Sequence, residues 1–169
     1  MKNRSSIDTL FDYAMANTLY VDTLSETEIA RVEARLRQGN SSFSGFLGQN
    51  ERLRQVIYED AGTLKRLGMT HKQVAGKLEY LVQNPQGDSR FKVSSIGTRE
   101  MQEDPFQEKW TPGTYPNLGV TITNQDGESI SFAGLIIGLI RNYQFFEGKG
   151  VSSRLDPAEA VRVLQIKKG

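Results

Sequence analysis

The chain has 169 residues, of which 37% are hydrophobic and 24% charged, so it can bury a substantial core. Its 21 basic and 20 acidic side chains leave a net charge of +1, which supplies no global field for nucleic acid or anionic lipid. The absence of cysteine excludes disulfides, thiolate metal sites and a cysteine nucleophile. Neither a secretory-signal pattern nor an apolar stretch of roughly 20 residues is found, so we expect a soluble cytoplasmic protein.

Helical periodicity marks the first two segments of the chain. Ser6 is a good N-cap for a helix of about 14 residues, and apolar residues recur behind it at helical spacing: Ile7, Leu10, Phe11, Ala14, Met15 and Val21. Ser25 to Glu28 has the pattern of a capping box, in which each side chain accepts the other residue's backbone N–H. We expect a second helix there that stops near Gly39 and carries an apolar stripe of Ile29, Val32 and Leu36.

The next segment, residues 40–50, is rich in glycine and small polar residues. It is expected to form a loop held to the core by Phe43 and Phe46. A third helix is predicted over residues 51–67, where apolar positions fit a period of 3.6 residues: Leu53, Val56, Ile57, Ala61, Leu64 and Leu67. Gly68 follows in the position of a left-handed C-cap.

A fourth helix is predicted to begin at a second capping box, Thr70 to Gln73. It should end at Asn84-Pro85, because the residue before a proline disfavours the helical conformation. About four helices therefore occupy residues 1–84. The period then changes, since Arg90 to Ile96 alternates as a strand and residues 97–118 are expected to be mostly irregular.

Two alternating runs, residues 119–124 and 128–132, flank Asp126-Gly127 and predict a β-hairpin. A hairpin alone is marginally stable in water, so it requires a third strand or a covering helix. A wide apolar helical face follows the second run and would supply that cover; its residues are Phe132, Leu135, Ile136, Leu139, Ile140, Tyr143 and Phe146.

The segment from Asp156 to Glu159, with proline at the first helical position, predicts a short C-terminal helix. Val161 to Ile166 alternates enough to end as a strand. Together these patterns predict the α+β class and a single domain over residues 1–169. A helical half, residues 1–84, would pack on a half of residues 85–169 that holds a small antiparallel sheet and one strongly apolar helix.

Asp60 is the most anomalous polar residue, because helical spacing places it on the buried face between Val56 and Leu64. A carboxylate there must be paired, hydrogen-bonded or protonated. One hypothesis makes it an acid–base group facing a pocket, with His71, the only histidine, nearby. The other makes it a structural carboxylate that bonds a helix N-terminus or an arginine, and His71 a partly exposed residue at a helix start.

Glu100, Glu103 and Asp104, followed by Glu108, form an acidic segment whose oxygens could coordinate a hard cation. The spacing lacks the alternating Asp/Asn ligands and central glycine of an EF-hand, so a solvated loop is the alternative. Trp110 lies close by in the sequence and would either anchor this loop to the core or contact a partner.

Two further segments suggest a ligand. Residues 145–150, FFEGKG, combine glycines with a lysine, as a phosphate loop does. They follow a predicted helix, however, whereas a phosphate loop precedes one. The preferred interpretation is therefore a C-cap turn that exposes Phe145. Residues 68–78 resemble the first helix of a DNA-reading helix-turn-helix, with Lys72 and Lys77 available to phosphates. The apolar stripe continues where a recognition helix should begin, and the charge balance also disfavours nucleic acid.

These observations favour a non-enzymatic protein-interaction or regulatory module without a cofactor. It would contact a protein partner or a second copy of itself through exposed aromatic residues, for which the candidates are Phe145, Trp110 and Phe43. One alternative is a small enzyme or ligand-binding domain with a pocket around Asp60. Another is a helix-turn-helix-like nucleic-acid binder, and no membrane association is expected.

Overall fold

The computed structural model describes residues 18–37, 45–101, 103–107 and 116–167, except the side chains of 98–101, 116 and 117. In chain order the elements are a 3-10 turn (Tyr20–Thr23), α1 (Glu26–Arg37), α2 (Leu53–Arg66), α3 (His71–Gln83), β1 (Phe91–Met101), β2 (Pro116–Asn124), β3 (Ser129–Ala133), α4 (Leu135–Tyr143) and α5 (Pro157–Leu164). The fold is α+β with a helical N-terminal half, as the sequence predicts.

Three of the helices begin where the sequence predicts a cap. The Ser25 hydroxyl accepts the N–H of Glu28 and the Glu28 carboxylate accepts the N–H of Ser25, at 3.1 and 3.2 Å. Thr70 and Gln73 form the same reciprocal pair at the start of α3. Asp156 accepts the N–H of Glu159 at 3.0 Å, with proline at the first position of α5. These short-range patterns therefore fix the helix starts.

The helix predicted behind Ser6 lies outside the described residues, apart from its expected end. There the backbone is not α-helical: Leu19 is extended and Val21 lies in the 3-10 turn. Leu67, assigned to an apolar face, is 38% exposed, because α2 ends at Arg66 and Gly68 turns the chain with φ of +68°.

The sheet contains a strand that sequence alternation underestimates. β1 runs to Met101 rather than stopping near Ile96, and β2 begins at Pro116, so residues 97–101 and 116–118 are extended strand where irregular structure was predicted. The pairing between the two strands shifts between Gly97 and Met101, and this bulge interrupts the alternation that marks a strand in sequence. β3 pairs with the other side of β2, giving a meander in the order β1-β2-β3.

Two other element boundaries differ from the prediction. Phe132 belongs to β3, where it faces the core opposite Val120, and α4 starts only at Leu135. Val161 does not enter a strand, because α5 continues to Leu164 and ends at Gln165 in a left-handed conformation. Both errors come from apolar residues that suit a strand and a helix equally well.

One face of the sheet packs on helices, and the other is open and hydroxyl-rich. On the open face the Thr121 hydroxyl bonds that of Ser131 at 2.9 Å, and Thr123 bonds Ser129 at 2.7 Å. Ile96 also lies there and is 85% exposed. Such one-sided burial is common in antiparallel sheets.

The core has two parts, with α4 between them. One part contains the inner face of the sheet, α3 and α5; the other contains α1, the first half of α2 and the 3-10 turn. α4 contributes to both, with Ile136, Ile137 and Ile140 on the sheet side and Leu135, Leu139 and Tyr143 on the other. None of the helices in the described ranges is long and apolar enough to cross a bilayer.

Candidate functional site

Asp60 lies on the buried face of α2, as its spacing predicts, and is 3% exposed. The Arg154 guanidinium donates to both of its carboxylate oxygens, at 2.8 and 2.7 Å. Arg154 also donates to the backbone carbonyl of Glu147 at 2.7 Å. Both oxygens of Asp60 are therefore held in a bidentate pair, which is the structural arrangement that the second hypothesis describes.

Arg154 belongs to a connection between α4 and α5 whose backbone is unusual. Gln144 and Glu147 adopt left-handed conformations, with φ of 56° and 70°, although neither is glycine. Gln144 ends α4 in this conformation, and its N–H bonds the Ile140 carbonyl at 3.0 Å. We call residues 144–156 the clamp loop, because Arg154 fastens this loop to α2.

Glu147 is a buried acid that sequence inspection does not reveal. It is 3% exposed, and burial raises the pKa of its carboxyl to about 7, although a Ser153 hydrogen bond and the Arg154 charge oppose the shift. Arg154 donates to the backbone carbonyl of Glu147 and to both carboxylate oxygens of Asp60. The clamp loop thus holds the paired carboxylate of Asp60 on α2 through Arg154, and itself contains Glu147, whose pKa burial raises.

A third acid, Glu51, joins the clamp loop to the loop before α2. Its carboxylate accepts the N–H of Gly48 at 2.7 Å and that of Gly150 at 3.1 Å. A Cβ at Gly148 would lie 2.1 Å from the same carboxylate, so any other residue there would displace Glu51 from this position. The glycines that suggest a phosphate loop therefore surround an internal carboxylate.

His71 is the first residue of α3 and is half-buried. Its ring lies 5.9 Å from that of Phe146, and burial lowers its pKa to about 4. Its Nε2 atom is buried without a hydrogen-bond partner among the described residues. The imidazole is therefore neutral at physiological pH, and no described contact joins it to Asp60.

An accessible concave feature lies elsewhere among the described residues, between α1 and α2, and we call it the α1–α2 groove. It has a volume of about 400 Å³ and is lined by Glu26, Ile29, Glu33, Arg52, Arg54, Gln55, Tyr58 and Glu59. Asp60 does not line it. Its size falls within the range of ligand and peptide pockets.

Ion pairs frame the α1–α2 groove. Arg54 bonds Glu26 across it at 2.7 Å, and Glu59 pairs with Lys149 of the clamp loop. Both side chains of the first pair are more than one-third exposed. Tyr58 is 45% exposed and donates its hydroxyl hydrogen to Asp22 of the 3-10 turn. The rim is thus accessible and can exchange its partners.

The floor of the α1–α2 groove is firmer than its rim. Glu33 is 2% exposed and accepts the N–H of Leu53, at 3.4 Å, at the first turn of α2. Arg37 pairs with the same carboxylate at 3.0 Å, and Arg52 approaches it at 3.6 Å. The Arg52 side chain is 70% exposed. Arg52 is therefore the lining cation most available to an incoming negative charge.

The acidic segment does not gather around a cation in the part that the structure describes. Glu103 is exposed, whereas Asp104 accepts the Tyr143 hydroxyl at 2.6 Å and the Phe106 N–H at 2.8 Å. The side chain of Glu100 lies outside the described set. Among the described residues, no group of three or more acidic or histidine side chains could hold a metal ion.

The prediction that Phe145 is exposed is wrong. The left-handed Gln144 redirects the chain, so the Phe145 N–H bonds the Leu139 carbonyl and the ring is fully buried, 5.5 Å from Phe106. Phe43 and Trp110 lie outside the described residues, so their predicted exposure stays a prediction.

The two lysines assigned to DNA contact have different environments. Lys72 is exposed on α3. Lys77 is half-buried, pairs with Asp88 at 3.5 Å and lies over the Phe91 ring, 5.0 Å from its centroid. Lys77 is thus held by its own chain, which weakens the resemblance to a phosphate-contacting helix.

Comparisons with known proteins add no relationship, since no family model, curated protein or solved structure matches the chain significantly.

The groove residues and the partner of Asp60 could not be identified from the sequence, for one shared reason. Arg154 lies 94 positions from Asp60, and Arg54 lies 28 positions from Glu26, so both pairs form only after tertiary packing. One sequence feature could have pointed to the groove: α2 has a polar face that also carries a tyrosine, formed by residues 54, 55, 58 and 59.

Proposed function

We propose that the protein is a non-enzymatic interaction module that binds an amphipathic helix of a partner protein in the α1–α2 groove. The observation that carries this proposal is that the acids inside the protein bond groups of the protein itself, whereas the charged side chains around the groove remain accessible. The buried acids Asp60 and Glu33 and the half-buried Glu51 bond groups of the protein itself, whereas the accessible charges surround a groove that no described side chain fills.

The shape of the groove supports a helix as its occupant. Two helices form its walls; Ile29 lies at the base, where it is only 4% exposed, and the accessible apolar surface is the ring of Tyr58, which is 45% exposed. A third helix would place its apolar stripe against Ile29 and the Tyr58 ring, with its charged flanks toward Arg52 and Glu26. The exposed rim pairs contribute little to stability, so exchanging them for intermolecular pairs has a small cost.

A photo-crosslinking amino acid at Gln55 tests this proposal in cells. Gln55 is exposed in the groove and donates to Glu59 at 3.2 Å. Gln83 gives a matched control, because it is an exposed helical glutamine on α3 that donates to Glu79 at 3.4 Å. We expect position 55, but not position 83, to crosslink to a partner segment with helical apolar periodicity.

Crosslinking of the same proteins from both positions would contradict the proposal, as would capture only of small molecules at position 55. A Gln55→Trp variant provides a second measurement, because the indole would fill the groove. It should abolish the crosslinked complex of a probe placed elsewhere on the rim, whereas Gln83→Trp should leave that complex intact.

The enzyme alternative has less support in the geometry. It requires Asp60 to open into a pocket, yet both carboxylate oxygens are bonded to Arg154, whose side chain is only 11% exposed. Nucleic-acid binding is likewise less favoured, because Lys77 pairs with Asp88. Retention on a polyanion column at low salt would revive that alternative.

A further inference from the structure

We infer that β1 pairs with β1 of a second copy of this chain, antiparallel about a two-fold axis at Ser94, so that the two sheets become one. This edge shares no residue with the lining of the α1–α2 groove, so the inference stands apart from the proposed function. Three features of β1 carry it: an unpaired edge, an exposed isoleucine and a regular segment that is complementary to itself.

The outer edge of β1 has no backbone partner among the described residues. β1 pairs with β2 on one side, and the strand order places it at the end of the sheet. Alternate residues of such a strand turn their N–H and C=O groups away from the sheet, where they can bond another strand. The seven residues 91–97 keep a regular register before the bulge, so they offer a straight edge for pairing.

Ile96 is the large apolar side chain with the greatest exposure in the described ranges, at 85%. The residue opposite it on β2 is Gly119, which has no side chain to cover it. Residues 94, 95 and 97 are also exposed, so both faces of the strand are accessible here. Cover for Ile96 can therefore come from a strand added at the outer edge, and such cover would bury apolar surface.

The regular segment is complementary to itself about its midpoint. Ser94 is the middle residue of 91–97, so antiparallel pairing about this point places Lys92 of each copy opposite Ile96 of the other. The aliphatic stem of Lys92 would cover Ile96 while its ammonium group stays in water. The two Lys92 residues lie about 13 Å apart along the paired strands, so like charges do not meet at the axis.

The same register extends a row of hydroxyl groups that already crosses the open face. Ser94 lies opposite Thr121 in the sheet, and the Thr121 hydroxyl bonds that of Ser131 at 2.9 Å. The Ser94 hydroxyls of the two copies would meet at the axis, as cross-strand hydroxyl pairs do within one sheet. The row would then continue from one copy into the other.

On the opposite face, small residues leave room for the second copy. In this register Phe91 of one copy faces Gly97 of the other, and Val93 faces Ser95. Seven residues from each copy are fewer than the roughly 20–30 per partner of a standard interface. The dimer should therefore be weak and depend on protein concentration.

A cysteine at the axis tests the register, because the chain has no cysteine of its own. In the dimer the two Cα atoms of residue 94 would lie about 4.5–5.5 Å apart, within the span of a disulfide. Full-length Ser94→Cys is oxidised with glutathione beside the control Ser131→Cys, an exposed serine of β3 on the same open face. We expect Ser94→Cys to form the disulfide dimer roughly tenfold faster, because pairing raises the local thiol concentration.

Sedimentation velocity over a range of concentrations measures association without a disulfide. Ile96→Lys should abolish the dimer by placing like charges opposite each other, and Lys92→Glu added to Ile96→Lys should restore it. Tyr80→Lys is the control, because Tyr80 is an exposed apolar position of α3, and it should associate like the unchanged chain. Circular dichroism checks that each variant is folded.

A monomer at every concentration would overturn the inference. Equal disulfide rates at positions 94 and 131 would also overturn it, because the contact would then not be centred on β1. A dimer that Ile96→Lys leaves unchanged would have the same meaning.

Discussion

The clamp loop and the α1–α2 groove place charged side chains on two faces of the same helix, α2, with opposite consequences. Asp60 is buried and bound at both oxygens by Arg154, whereas Arg54 and Glu59 are more accessible and pair with Glu26 and Lys149 at the surface. A buried pair is difficult to break because each charge depends on the other, and an exposed pair exchanges easily with water or a ligand. Burial therefore separates the architectural charges of α2 from those available for recognition.

The largest effect should come from Arg154→Met. This change leaves the Asp60 carboxylate buried without its partner, and removing one member of a buried pair costs about 3–5 kcal/mol. Urea denaturation should show that loss, and Asp60→Leu added to Arg154→Met should recover part of it. Arg52→Met is the control on the groove, where we expect almost no change. Equal midpoints for Arg154→Met and Arg52→Met would contradict the distinction between the two regions.

The next effect concerns pH and the clamp loop. Below pH 4.5 the Glu147 carboxyl is protonated in both states, and above about 7 it is ionised in both. Between these values the folded protein keeps a proton that the unfolded chain loses, so this group makes stability fall as pH rises, by about 3 kcal/mol in total. Glu147→Gln should remove this loss, which denaturation curves across the window would measure.

His71 adds a second test to the same experiment, because its titration changes stability with pH in the opposite direction to that of Glu147. The unfolded chain takes up a proton below pH 6.5, while the folded imidazole, with a pKa of about 4, does not, so stability falls as pH falls. Between about 4.5 and 6.5 the two slopes oppose each other. Glu147→Gln should therefore show stability rising with pH in this window, and His71→Gln should show it falling. Parallel curves for both variants would contradict these assignments.

A smaller effect is expected for Gly148→Ala. The new Cβ would lie 2.1 Å from the Glu51 carboxylate and 3.1 Å from the Gly48 nitrogen, so the carboxylate must shift and its bonds to the Gly48 and Gly150 N–H groups weaken, at a cost of about 1–3 kcal/mol. Gly76→Ala is the matched control, because Gly76 is an exposed position of α3 with open space around it. That change should stabilise the helix by up to about 1 kcal/mol. Thermal unfolding should separate the two variants by sign.

The smallest change in stability is expected for Arg54→Gln, although it should alter binding. Arg54 bonds Glu26 at the exposed rim, so we expect a denaturation midpoint indistinguishable from that of the unchanged protein. The yield of the partner crosslink from position 55 should nevertheless become less sensitive to salt. A large loss of stability would mean that the rim is part of the architecture and not a recognition surface.

Local chemistry explains which parts of the fold are predictable from sequence. The caps at Ser25, Thr70 and Asp156 need only residues three positions apart, and all three are confirmed. The hairpin is also confirmed, since Asn124 and Glu128 close its turn with a 2.9 Å backbone bond. The extension of β1 to Met101 was missed because it depends on pairing with β2 across a bulge.

The candidate site was less predictable for a similar reason. Helical spacing identified Asp60 as a buried carboxylate, but its partner comes from a loop that has no periodicity. The wrong exposure of Phe145 follows from Gln144, a residue that rarely adopts the left-handed conformation it has here. The polar face of α2 that carries Tyr58 is a signal that something contacts it, but the groove itself cannot be predicted from either helix alone, because its existence depends on how closely the two helices approach.

The distance in sequence between Asp60 and Arg154 also affects how the protein is made. Ninety-four positions separate the two residues, so at ribosomal elongation rates Asp60 waits roughly 5–20 s for its counter-ion to be synthesised. During that interval α2 has a carboxylate on the face that will become internal, which favours hydration of this face over premature collapse. The last third of the chain would then complete the nascent protein by neutralising a charge as well as by covering apolar surface.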